Sequence, residues 1–117
     1  MSIEEFRQSY MQLQQQLQQF KSIATDRTSD LQLLQTAFAG MQQHFQQIVQ
    51  RDQNPDLAAP VQSVETEISK QLRLLSMDVM YLQAARLSAT VEQRRSQLLD
   101  RIEMLLGYCQ ALLSAAN

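Results

Sequence analysis

Residues that interrupt helices are almost missing from this chain. Two glycines and two prolines in 117 residues leave few places where a helix must stop. Apolar residues recur throughout, so neither a turn-rich sheet nor a disordered tail fits. A single cysteine, Cys109, excludes an internal disulfide and fits a reducing cytoplasm. No apolar run approaches the ~20 residues of a membrane span. The opening MSIEEF carries acids where a signal peptide carries bases. A formal charge of −2 offers no electrostatic case for nucleic acid, which calls for a strong basic excess. What remains is one helical domain, 1–117, long enough to bury roughly two-thirds of its extended-chain surface without metals or disulfides.

The apolar residues fall into four seams. Ile3, Phe6, Tyr10, Leu13, Leu17, Phe20 and Ala24 alternate steps of three and four, a period of about 3.5 that predicts a helix over 3–25 with a bundle seam. The glutamines between them, as in QLQQQLQQF, read as a solvated helix face, since Gln is a good helix former. A turn at Asp26–Ser29 follows, with Ser29 and Gln32 as a capping box and Asp30 at the positive end of the next helix. That helix, 30–51, carries Leu31, Leu34, Phe38, Met41, Phe45 and Ile48. Gly40 weakens it slightly and offers room for a neighbour's close approach. Asn54-Pro55 marks a loop over 52–59, and Pro60 suits the first turn of a third helix.

The third helix, 60–87, is the part around which the rest is organised. Ile68, Leu72, Leu75, Val79 and Leu82 share one face, and Leu74, Met77, Tyr81 and Ala85 share another roughly opposite. Two polar strips separate the faces. One holds Ser69, Arg73, Ser76 and Gln83, the other Gln71 and Asp78. An outer helix of a bundle needs one apolar stripe, so two mark a buried helix or one that meets a second molecule. Beyond it the seam Val91, Leu98, Ile102, Leu105, Cys109 and Leu112 is rotated by roughly 160° on ideal geometry. Ser88 or Thr90 with Gln93 can cap a new helix, so a turn at Ser88–Thr90 and a fourth helix over 90–115 are expected. Near-equal segment lengths favour an all-α antiparallel four-helix bundle. The competing reading is three helices, the last running unbroken from Pro60, with Met77, Met80, Ala84, Leu87, Val91 and Leu98 as one stripe.

Catalytic constellations do not emerge, and neither a cofactor nor a metal is expected. His44 is the only histidine and lies beside the Met41/Phe45 seam, without companion ligands at metal-binding spacing. The Glu-x-x-His pairs of di-iron bundles and a phosphate-cradling glycine loop are missing. Cys109 reads as a small buried hydrophobe rather than a nucleophile. Asp78 has two readings, a solvated strip or a charge paired with an arginine at an interface. In an up-and-down bundle Arg86, Arg94 and Arg95 gather at one end, which Lys21 and Arg27 approach and Asp26 and Asp30 partly offset. That cluster is either a solvated end or a docking point for an acidic segment of a partner. Leu74, Met77, Met80, Tyr81, Ala84 and Ala85 are the candidate dimer or partner interface, since Met and Tyr suit adaptable protein contacts.

The stretch from Glu67 to Arg86, and especially QLRLLSMDVMYLQAAR, resembles the PatD family of cyanobacterial proteins, associated with heterocyst frequency control. The likeness extends more weakly to LLGYCQALL near the end, and the first half matches in length and helical pattern only. The resemblance implies a small, all-helical, non-enzymatic cytoplasmic protein that modulates assembly of the tubulin-like division protein FtsZ, with a place at the division site. A division role suits a cyanobacterium that makes no heterocysts equally well. No family motif assigns an FtsZ-binding residue here, and none is carried over. Three functions follow in order: an adaptor or regulator binding a protein partner, a structural homodimer or oligomerisation module, and an enzyme or small-molecule binder in the bundle core.

Overall fold

The computed structural model describes residues 2–27, 30–51 and 59–115. They form four helices, α1 (Ile3–Thr25), α2 (Leu31–Arg51), α3 (Ala59–Ala84) and α4 (Ser88–Ala115). The helices run up and down in a ring about 49 Å long and 21 by 20 Å across. α1 packs on α2 and α4, and α3 packs closely on α4 and only lightly on α2. The four-helix bundle is therefore the architecture, and the unbroken C-terminal helix is not.

The ring closes around the four seams. Phe6, Tyr10, Leu13, Leu17, Phe20 and Ala24 of α1 are buried, as are Leu34, Phe38, Met41, Phe45 and Ile48 of α2. Ile68, Leu72, Leu75, Val79 and Leu82 complete the core from α3, with Leu98, Ile102, Leu105, Leu106, Cys109 and Leu112 from α4. Burying this many large side chains, at about 1.5–3 kcal/mol each, is what makes 3.5-periodic seams into a bundle. Ile3 departs from its seam and is exposed at the first residue of α1. Gly40 also departs from expectation. A Cβ built there meets nothing within 4 Å, so no neighbour approaches it.

Local chemistry sets most of the boundaries. Ser2 caps α1 by accepting the Glu5 N–H at 3.1 Å, with Glu4 and Glu5 in the first turn suiting the helix dipole. At α2 the Asp30 carboxylate accepts the Gln32 N–H at 2.9 Å. The capping box expected at Ser29, the Thr28–Ser29 half of its turn and the loop over 52–58 lie outside the described residues.

The turn between α3 and α4 lies at 85–87, three residues earlier than the Ser88–Thr90 turn expected. The Ala85 N–H is shared between the carbonyls of Tyr81 and Leu82, at 3.0 and 3.3 Å, which closes α3. The Leu87 carbonyl accepts the Val91 N–H at 2.9 Å, so Ser88 and Thr90 sit inside the first turn of α4 and cap nothing outside it. Neither glycine nor proline forces this break. The contacts that fold α4 back along α3 supply it.

Candidate functional site

α3 stands between two environments. Its inner face is core. Its outer face holds Met77, Met80 and Tyr81, which are 42%, 62% and 43% exposed, and Ala84, which is also exposed. Leu74 and Ala85, expected on the same face, are half-buried, because at 100° per residue they turn toward α4. The candidate interface thus consists of a fully outward stripe with an α4-ward border. Met104 of α4 is exposed as well, and Tyr108 is half-buried.

Beneath that border lies a buried polar network. Asp78 is 6% exposed. Its Oδ2 accepts from Arg101 Nε at 2.6 Å, and Arg101 Nη1 donates to Gln71 Oε1 at 2.8 Å. The solvated reading of Asp78 is corrected here, and of the other reading the pairing with an arginine holds but not the partner interface. Asp78 is not in solvent, and its arginine belongs to the same chain. The ion pair is largely desolvated, so its attraction is weakly screened and each charge is held by the other. A second buried acid, Glu65, takes the Tyr10 hydroxyl. That bond spans the bundle diagonally from α1 to α3. Sequence reasoning missed it. The only signal was a Tyr hydroxyl within an otherwise wholly apolar seam, because a buried phenol needs a polar partner.

The three arginines expected to gather do not form one patch. Arg94 lies 4.6 Å over the Tyr81 ring and donates to Gln97 Oε1 at 3.2 Å. Arg95, its neighbour in sequence, points to the opposite flank of α4 and donates from Nη1 to the Ala24 carbonyl at 2.5 Å, capping the C-terminal end of α1. Arg86 sits in the turn and donates to the Gln83 carbonyl at 3.3 Å. Lys21 and Arg27 pair with Glu103 and Glu92 of α4, at 2.5 and 2.9 Å. Of the predicted docking set, Arg94 stacks on Tyr81 of the outer face of α3.

Elsewhere the chemistry is quiet. His44 Nδ1–H donates to Gln16 Oε1 at 2.6 Å, and burial, with Arg51 nearby, lowers its pKa. The Cys109 thiol is buried and burial pushes its pKa up to about 12, which leaves it a hydrophobe at neutral pH. Among the described residues no group of three His, Cys, Asp or Glu side chains is placed to hold a metal ion. No described helix is long and apolar enough to cross a membrane. One surface depression along α1 is lined by Gln14, Gln15, Gln18, Gln19 and Ser22, and another by Gln18, Lys21, Ser22, Thr25 and Asp26.

Comparison of this chain with protein-family models, with curated proteins and with solved structures returns no match in any of the three.

Proposed function

We propose that this chain is a non-enzymatic regulatory protein that acts by binding a protein partner through the outer face of α3. FtsZ is the candidate partner, and modulation of its assembly at the division site of the cytoplasm is the proposed effect. In a filamentous cyanobacterium the same action bears on heterocyst frequency. One observation carries the reading: the core is complete without Met77, Met80, Tyr81 and Ala84, which stay exposed in a row. Large apolar side chains clustered on a surface mark an interaction site more often than they mark nothing. The segment that resembles the PatD family, Glu67 to Arg86, is the segment that bears this row. Co-sedimentation with polymerising FtsZ tests the assignment. The expected result is co-pelleting and a change in polymer mass that Met77→Glu removes. No pelleting and no change in polymer mass across salt conditions overturns FtsZ as the partner.

A second reading is a homodimer with the α3 helices facing across a two-fold axis. The small Ala84 at the end of the row favours it, since it permits close helix approach. In such an isologous contact each substitution acts twice. Light scattering and circular dichroism on one sample decide it. A dimer that Met77→Glu converts to a fully helical monomer supports this reading, and a wild-type monomer at high concentration refutes it.

A further inference from the structure

The outer stripe of α3 is lopsided in charge. The helix holds three carboxylates, Glu65, Glu67 and Asp78, and two cations, Lys70 and Arg73. The carboxylates are all withdrawn from the stripe. Glu65 is buried against Tyr10 and Asp78 against Arg101. Glu67 is half-buried and by helical spacing turns toward α4. Both cations are exposed. The series Lys70, Arg73, Met77, Met80 or Tyr81, Ala84 steps by three and four, so they share the outward face. Arg94, stacked on Tyr81, adds a third cation at its edge. Asp100 of α4 borders a depression on the α1 side with Arg27 and Arg95 and does not offset the stripe. A chain of formal charge −2 therefore presents a row of Met and Tyr flanked by positive charge.

We propose that this stripe receives an acidic amphipathic helix of a protein partner. This deepens the partner reading above and rests on it. Apolar side chains at i, i+3, i+4 and i+7 of such a helix meet Met77, Met80 and Tyr81, and its carboxylates meet Lys70, Arg73 and Arg94. The thioether side chains adapt to different apolar shapes. The stacked guanidinium of Arg94 is already oriented, so less freedom is lost when it binds a carboxylate. A second copy of the chain is the poorer occupant, because its own stripe offers no exposed acid to answer Lys70 and Arg73. An anionic membrane is poorer too, because interfacial helices insert Trp, Phe or Leu beneath a Lys- and Arg-rich face, and this stripe has two methionines and a tyrosine.

The test uses the whole chain and two labelled synthetic helices of about 18 residues, long enough to cover the stripe at about 1.5 Å per residue. Both carry leucines at the same helical spacing, one with glutamates on its flanks and the other with lysines. Fluorescence anisotropy is expected to show binding of the glutamate helix alone. The paired change Lys70→Glu and Arg73→Glu should weaken it by about tenfold or more, and added salt should weaken the wild type in the same direction. In methyl NMR the Met77 and Met80 signals should move and that of buried Met41 should not.

Equal binding of the two helices overturns the proposal, as does a charge reversal without effect. Preferential binding to phosphatidylglycerol vesicles transfers the stripe to a membrane. Concentration-dependent Met77 and Met80 shifts without any peptide transfer it to a second copy. FtsZ pelleting that survives the charge reversal but not Met77→Glu keeps the partner reading and rejects the acidic helix. Glutamate-helix binding without FtsZ pelleting does the reverse, removing FtsZ and keeping this inference.

Discussion

The two polar flanks of α3 look alike in sequence and behave differently in the fold. On the α4 side Gln71 and Asp78 are buried and both hold Arg101. On the α2 side Ser69 and Arg73 are exposed, Ser76 and Gln83 are half-buried, and one hydrogen bond, Gln83 Nε2 to Gln35 Oε1 at 3.5 Å, reaches across. The difference does not arise within α3. It arises from what stands opposite. α4 presents a long, planar cation that can enter a seam and bond twice, while α2 presents neutral glutamines that water serves equally well. A polar strip thus becomes either an internal clamp or a solvated edge according to its neighbour, and the helix packs closely on one side and lightly on the other.

The scale for this contrast is set by the core between the flanks. Leu75→Ala should cost about 2–5 kcal/mol in a denaturant titration, since the residue is fully buried and leaves a cavity. Asp78→Ala should follow at about 2–3 kcal/mol, because Arg101 then loses its charged partner in a poorly hydrated seam. A double-mutant cycle with Arg101→Leu should recover part of that loss. Independence of the two sites there means that the flank is not a clamp.

Smaller effects sharpen the other side. Gly40→Ala should stabilise the protein by about 0.5–1 kcal/mol, because the position is helical and open. A destabilised variant there would place a neighbour where the fold has none. Gln83→Ala should stay within about 0.5 kcal/mol, and a loss equal to that of Asp78→Ala would erase the contrast between the flanks. The smallest expected effect is at His44. Burial lowers its folded-state pKa below the ordinary 6.5, so the unfolded chain takes up the proton first. Stability from this group is present above pH 6.5 and declines as pH falls from there through the folded value. A shallower decline of the urea midpoint in His44→Gln checks the sign.

Periodicity made the fold legible. The four seams are buried as the spacing requires, except at three helix starts, where Ile3 is exposed and Leu31 and Val91 are half-buried. This works because a 3.5-residue repeat dictates which side chains share a face, and burying that face dominates the free energy. The opposition of two apolar faces on α3 was legible for the same reason. The turn at 85–87 was not, because no local residue breaks the helix there.

Whatever depends on two helices at once lay beyond the sequence read residue by residue. Nothing local to Asp78 announces that Arg101, twenty-three positions away, neutralises it, or that Tyr10 meets Glu65 across the core. Adjacent Arg94 and Arg95 were indistinguishable as letters. They separate because neighbouring helical residues point about 100° apart, one onto Tyr81 and the other onto the end of α1. Which faces are apolar follows from the spacing of residues along the chain. Which charges remain outside follows from packing, because a charge stays exposed or is buried according to the partner that a neighbouring helix brings within reach.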